Sequence, residues 1–125
     1  MKEENDILIV EDDNASKRFV EVILDKHSYT YDSVSDGEKG LYKFKYGNYK
    51  CIFVDIKLPK MNGIELVNNI RKHEKDNNLT PAYLIAITAH IIFDIGDFVL
   101  EHGFDDYISK PFTIPRLIES LEKII

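Results

Sequence analysis

The chain has 125 residues, of which 44% are hydrophobic and 30% are charged, and this composition is typical of one globular domain. Sixteen basic against 22 acidic side chains give a net charge of −6, which argues against direct binding to nucleic acid or to an anionic membrane surface. The acidic start of the chain lacks a signal-peptide pattern, and no apolar run approaches the roughly 18 residues of a membrane span, so we expect a cytoplasmic protein.

Five apolar segments suit buried parallel strands, and segments of helical period lie between them. In chain order, strands are predicted at 7–10, 29–34, 51–54, 83–87 and 107–108. The first helix carries an apolar stripe read as Phe19, Val22, Ile23 and Lys26. Because crossovers between parallel strands are right-handed, this alternation predicts an α/β fold, with one doubly wound parallel sheet and helices on both faces. The single cysteine, Cys51, lies in an apolar run and is expected to be buried and unreactive.

Polar side chains follow four of the predicted strands. They are Glu11, Asp12 and Asp13 after the first strand, Asp55 after the third, Thr88 after the fourth and Lys110 after the fifth. The carboxyl ends of parallel strands share one edge of a sheet, and ligands bind outside that edge. We therefore expect acids, a hydroxyl and an ammonium group to lie together there.

Carboxylates in such a cluster repel one another, by roughly 4 kcal/mol for a pair about 4 Å apart at an effective dielectric constant of about 20. A cation is therefore expected among them, and oxygen ligands with open coordination positions favour Mg²⁺, which Mn²⁺ can replace. A metal beside a carboxylate, a hydroxyl and a lysine is suited to phosphoryl transfer. In this reading Asp55 is the nucleophile, and Thr88 and Lys110 bind the phosphoryl oxygens.

Four segments resemble the receiver domains of two-component response regulators. They are 7–13 (ILIVEDD), 54–63 (VDIKLPKMNG), 87–89 (ITA) and 103–112 (GFDDYISKPF). The resemblance extends over the whole chain, as a single receiver domain at 1–125, and implies a five-stranded (βα)₅ sheet of flavodoxin-like order 2-1-3-4-5. It also implies a phosphoacceptor switch rather than an enzyme, whose only chemistry is its own phosphorylation and dephosphorylation.

Residue by residue, the resemblance implies that Asp55 takes a phosphoryl group from a phosphohistidine of a histidine kinase or a histidine phosphotransfer domain. Mg²⁺ would be bound by Glu11, Asp12 and Asp55 and by the backbone carbonyl of Lys57. Lys110 would pair with the phosphoryl group. The loop 59–63 would close the site.

Thr88 and Tyr107 resemble the switch pair of the family. In that role they remodel the face of the predicted fourth helix, fifth strand and fifth helix, which a downstream protein contacts. Lys57 and His90 flank the site, where they would tune the rate of phosphate loss. Asp13 is assigned to the start of the first helix instead of the metal site.

The predicted fourth helix, at 91–100, has more apolar residues than one buried face needs. Phe93 and Phe98 are the surplus. Either they form an exposed patch for a partner or a homodimer, or an irregular helix near Gly96 buries them.

Two other functions are compatible with a fold of this class. A flavin mononucleotide binder needs small residues after the first strand to hold phosphate, where this chain has three acids. An aspartyl phosphohydrolase of the haloacid-dehalogenase type needs a second aspartate two positions after the nucleophile, where this chain has Lys57. The chain ends near its fifth helix, so it is read either as a stand-alone receiver or as a domain of a hybrid kinase or longer regulator.

Overall fold

The computed structural model describes residues 5–89 and 100–123. Its strands are β1 (Ile7–Val10), β2 (Tyr31–Val34), β3 (Cys51–Asp55), β4 (Tyr83–Thr88) and β5 (Asp106–Ser109). Its helices are α1 (Asn14–Lys26), α2 (Gly37–Tyr46), α3 (Gly63–Asp76) and α4 (Ile114–Glu122), and α4 corresponds to the predicted fifth helix. The expectations about His90, Phe93 and Phe98 fall outside the described residues.

The five strands are parallel and form one sheet of order β2-β1-β3-β4-β5, which confirms the predicted fold. Every residue of β1 and β3 is buried, because helices cover both faces of these central strands. Strand β2 lies at the edge, and only Val34 in it is buried. This position explains its weak apolar signal in the sequence.

Alternate side chains of the strands point to opposite faces of the sheet and form two apolar clusters. Leu8 and Ile52 belong to the cluster that packs against α2 and α3. Ile9 and Phe53 belong to the cluster that packs against α1 and α4. Cys51 is in the second cluster, which confirms its expected burial, and this burial raises the pKa of its thiol.

Short polar side chains fix where the helices begin. Asp13 Oδ2 accepts a hydrogen bond from the Ser16 N–H at 2.8 Å, which confirms its predicted place at the start of α1. Asp36, Asn62 and Thr113 cap α2, α3 and α4 in the same way. Each of these four helices follows a strand in the chain, so the caps lie toward the carboxyl edge of the sheet.

The buried face of α1 differs from the predicted stripe. Val20, Ile23 and Leu24 are buried, whereas Phe19 is 41% exposed and Lys26 is also exposed. Only one member of the predicted stripe is therefore fully in the core. The helix is rotated by about one residue relative to the expectation, which leaves Phe19 on the surface.

Arg71 of α3 joins three parts of the fold. Its guanidinium donates hydrogen bonds to the carbonyls of Ala82 and Gly103, each at 2.9 Å. It also forms ion pairs with Glu74 at 2.9 Å and Asp105 at 2.8 Å. Glu74 is 4% exposed, so Arg71 neutralises a buried charge while it fixes α3 to the start of β4.

We expect Arg71→Ala to lower the free energy of unfolding by about 2–4 kcal/mol, because it leaves the buried Glu74 carboxylate without its cation. Urea denaturation measures this. The matched control is Arg18→Ala, since Arg18 is 66% exposed and lies 3.6 Å from Glu21; its loss should stay below about 1 kcal/mol. Equal losses in the two variants would refute a special role for Arg71.

Within 5–89 and 100–123, no helix has the length and apolar character that a membrane crossing requires. The longest of them, α3, has 14 residues and ends in a polar turn.

Candidate functional site

Three carboxylates meet at the carboxyl edge of the two central strands. Glu11 follows β1 directly, Asp12 is next, and Asp55 is the last residue of β3. The register of β1 and β3 pairs Val10 with Val54, which places the ends of the two strands side by side. One oxygen of each carboxylate lies within 4.8 Å of the others. The structure thus brings the predicted acidic residues together, with Glu11 and Asp55 buried and Asp12 exposed.

Lys110 faces these acids from the end of β5. Its ammonium forms an ion pair with Glu11 and lies 3.6 Å from Asp55 Oδ2. Burial acts to lower the pKa of Lys110, but the hydrogen bond to Glu11 and the charge of Asp55 raise it above its ordinary value. The side chain is therefore a cation at neutral pH, and the carboxylates of Glu11 and Asp55 share it.

Glu11 has the most unusual environment in the cluster. Burial raises its pKa to about 7, and the neighbouring Asp55 adds to this effect while Lys110 opposes it. Its Oε2 atom is buried and has no hydrogen-bond partner in the described part of the chain. A hard divalent cation could be coordinated by this oxygen and would offset the excess negative charge. The all-oxygen donor set therefore fits Mg²⁺.

The loop after β3 holds the Asp55 carboxylate. The Lys57 N–H donates to Asp55 Oδ1 at 3.0 Å, while the Lys57 side chain is exposed. The loop returns at Gly63, whose N–H donates to the Ile56 carbonyl at 2.9 Å. A Cβ atom at Gly63 would lie 2.7 Å from the Asp55 carbonyl oxygen, so glycine is needed for this close approach.

The two predicted switch residues lie on neighbouring strands. Thr88 ends β4 and is 5% exposed, and its carbonyl accepts the Lys110 N–H at 2.7 Å. Tyr107 of β5 pairs with Ala86, two positions before this edge, and is half-buried against the cluster under α2 and α3. Both residues are thus close in the sheet, with Thr88 nearer to the acidic cluster.

An aromatic surface beside the site was missed in the sequence, where Phe19 was assigned to the core. The Phe19 ring packs edge-on against Phe112, with centroids 5.5 Å apart. Together with Ala15, Pro111 and the stem of Lys110, they border an open groove of about 510 Å³. We call this surface the aromatic rim. The sequence also has a second apolar stripe at 20, 23 and 24 with the same period, and this stripe is the one that packs on the sheet, which leaves Phe19 on the surface.

The sequence matches the family model described as "Response regulator receiver domain" over residues 7–122. Response regulator ArlR of Staphylococcus saprophyticus is 35% identical over 119 residues, which are 95% of this chain and 51% of that protein. The chain spans about half the length of the curated relatives that it matches.

Two solved structures are similar over nearly the whole chain. One is the receiver domain of Ssk1 from Saccharomyces cerevisiae, crystallised with the histidine phosphotransfer protein Ypd1. It is 27% identical with a TM-score of 0.90, and the match covers 99% of this chain and 90% of that one. The other is the receiver domain of the sensor histidine kinase PA1611 from Pseudomonas aeruginosa, with a magnesium ion in its active-site cleft. It is 27% identical with a TM-score of 0.84 and covers 98% of both chains.

Proposed function

The chain belongs to the response regulator receiver domain family, and we propose that Asp55 is its phosphoacceptor. Receiver domains are signalling switches rather than enzymes that turn over a substrate. The observation that supports Asp55 is its position at the end of β3, where Lys57 N–H binds one carboxylate oxygen and Lys110 faces the other. We further propose that residues 1–125 act as one receiver domain, in the cytoplasm, where kinases obtain ATP.

In the proposed reaction, a carboxylate oxygen of Asp55 attacks the phosphorus of a partner's phosphohistidine. The new O–P bond forms as the N–P bond breaks, and the leaving ring nitrogen keeps the electron pair and takes up a proton. Lys110 binds the phosphoryl oxygens as their charge rises. Positioning and charge neutralisation supply most of the rate in this type of transfer. Later attack by water on phosphorus releases inorganic phosphate and restores Asp55, so both steps occur on the same side chain.

Glu11, Asp12 and Asp55, with the backbone carbonyl of Lys57, would hold Mg²⁺, or Mn²⁺ in its place. When bound, the cation would neutralise negative charge on the phosphoryl group. The support in this chain is the cluster of carboxylates and the unpartnered Oε2 of Glu11. The related PA1611 receiver domain holds magnesium in its active-site cleft.

Thr88 and Tyr107 would carry the signal away from Asp55. The Thr88 hydroxyl donates to a phosphoryl oxygen, and Tyr107 moves into the space that Thr88 leaves. Arg116 of α4 donates to the Tyr107 carbonyl at 2.7 Å and lies 3.4 Å from Asp106, so a movement of β5 is passed to α4. A downstream protein would recognise the face formed by β5, by α4 at Ile114–Glu122, and by the helix that the sequence predicts at 91–100.

The function is tested by incubating the wild-type chain with acetyl phosphate and Mg²⁺ and measuring its intact mass. We expect a gain of one phosphoryl group, which EDTA prevents and which Asp55→Asn does not show. A wild-type chain that gains no mass under these conditions would refute the proposed function.

The donor protein has to bring its phosphohistidine to Asp55. The aromatic rim is next to Asp55, because the groove that it borders also includes Lys110. Phe19 is 41% exposed and Phe112 is half-buried, which is an apolar surface next to the charged site. Exposed aromatic side chains of this kind contribute strongly to protein interfaces. We therefore propose that the phosphohistidine donor, a kinase or a phosphotransfer domain, docks on the aromatic rim.

We expect Phe19→Ser to slow phosphoryl transfer from a phosphohistidine protein about tenfold or more, because it removes an aromatic anchor of the interface. The donor is any histidine kinase or phosphotransfer protein that labels the wild-type chain with radioactive phosphate. The rate with acetyl phosphate should be unchanged, since this small donor needs no interface. Tyr46→Ser is the matched control, because Tyr46 is 63% exposed on α2, away from the rim. Equal slowing with both donors would argue against docking at the rim.

A further inference from the structure

The first turn of α2 is in direct contact with the loop that follows Asp55. Gly37 begins α2 and is buried. A Cβ atom at this position would lie 2.5 Å from the Met61 carbonyl oxygen and 2.9 Å from the Met61 Cβ. The Met61 peptide therefore occupies the space that a side chain at position 37 would fill.

This contact is on the loop that positions the phosphoacceptor. At one end of the loop, the Lys57 N–H binds the Asp55 carboxylate at 3.0 Å. At the other end, Gly63 packs on the Asp55 carbonyl. Between them Leu58 is 8% exposed and packs in the core, whereas Lys60 is exposed and has a positive φ of 63°. Because Met61 is four residues from Lys57 in this loop, we expect a shift of Met61 to reach the Lys57 peptide.

We propose that Gly37 is a positioning residue for the chemistry at Asp55. Its missing side chain lets α2 pack against the Met61 carbonyl and the base of the Met61 side chain, and this contact fixes the loop 56–62 beside the phosphoacceptor. The inference rests on the proposed function of Asp55. It adds a residue on a different element, outside the acidic cluster, to those that set the rates of phosphate gain and loss.

Substitution of Gly37 by alanine forces backbone to move, because the carbonyl at 2.5 Å must retreat to at least 3.0 Å. The movement changes the placement of the Lys57 N–H relative to Asp55. We expect Gly37→Ala to change the rate of phosphorylation by acetyl phosphate, or the rate of phosphate loss to water, by about tenfold. It should also change the affinity for Mg²⁺, measured by calorimetry, since the Lys57 carbonyl is a proposed ligand.

Gly40→Ala is the matched control on the same helix. A Cβ atom at Gly40 would lie 2.9 Å from Val10 Cγ2 and 3.2 Å from Val10 Cγ1, so it strains α2 against the core and not against the loop. Thermal melting reports the loss of stability in each variant. We expect both to melt earlier than the wild type, and only Gly37→Ala to change the two rates and the Mg²⁺ affinity. Rates and affinity within twofold of those of Gly40→Ala would overturn the proposal.

If Gly37→Ala does not fold, Met61→Gly decides the question, because it keeps Gly37 but removes the Met61 Cβ and side chain from the contact. We expect its phosphate gain or loss to change by about threefold or more. Wild-type rates in this variant would count against the proposal. A wild-type chain that accepts no phosphoryl group would instead refute the proposed function of Asp55, so the two failures are distinguishable.

Discussion

Lys110→Met is expected to slow phosphorylation of Asp55 by acetyl phosphate about 100- to 1000-fold, because it removes a preorganised charge from the transferred group. Within the described residues, Lys110 is the only cation that forms ion pairs with Glu11 and Asp55. Methionine keeps a side chain of similar length at the half-buried position. The time course of intact mass at saturating Mg²⁺ measures the effect.

Lys17→Met is the matched control for Lys110→Met. Lys17 is also on the carboxyl side of the sheet, but its ammonium donates to Ser35 Oγ at 3.0 Å. We expect this variant to be phosphorylated at a rate within about twofold of the wild type, because surface charges away from the reacting group contribute little. Similar slowing in both variants would show that general charge, and not the placement of Lys110, controls the rate.

Glu11→Gln is expected to weaken Mg²⁺ binding about tenfold or more, because the number of charged ligands sets the affinity of such sites. The same change should stabilise the metal-free protein at pH 8, since it removes one negative charge from the cluster of three carboxylates. Thermal melting with EDTA and then with Mg²⁺ measures both effects. This view of Glu11 would be contradicted if Glu11→Gln had a lower melting temperature than the wild type in EDTA and if Mg²⁺ raised the melting temperatures of both proteins equally.

The pH dependence of this effect has a defined sign. Burial raises the pKa of Glu11 from 4.5 to about 7, so the folded protein binds this proton more tightly than the unfolded chain does. The contribution of Glu11 to stability is therefore fully present below pH 4.5 and is lost as the pH rises through about 7. In EDTA we expect the wild type to lose more stability than Glu11→Gln between pH 5 and pH 8. Parallel losses would contradict the raised pKa.

The central strands could be predicted from the sequence because burial on both faces leaves a continuous apolar run, as in β1 and β3. The rotation of α1 could not, because the stripes at Phe19 and at Val20 have the same period and only packing on the sheet decides between them. The role of Arg71 also could not be predicted from the sequence. Its partners Ala82 and Gly103 are distant in sequence, and backbone carbonyls leave no pattern there.

The site could be predicted in its residues but not in its electrostatics. Glu11 and Lys110 directly follow strands and Asp55 ends one, and the carboxyl ends of parallel strands share an edge. Lys110 forms its ion pair with Glu11, and Glu11 Oε2 has no hydrogen-bond partner among the described residues. Both features depend on side-chain positions that spacing in the sequence does not determine. Membership of the receiver family agrees with the residues that argued against a flavin site and against a phosphohydrolase. The contact of Gly37 with Met61 joins the first turn of α2 to the loop after β3, and no sequence motif links these two segments, so only coordinates show it.

The most direct measurement is the location of the phosphoryl group. Borohydride reduces an acyl phosphate to an alcohol, which marks the acceptor before digestion and peptide mass analysis. After treatment with acetyl phosphate and Mg²⁺, we expect the mark on Asp55 and on no other carboxylate. A mark on Asp12 or Asp13, or phosphate retained on a histidine such as His27, would contradict the assignment of Asp55 as the phosphoacceptor.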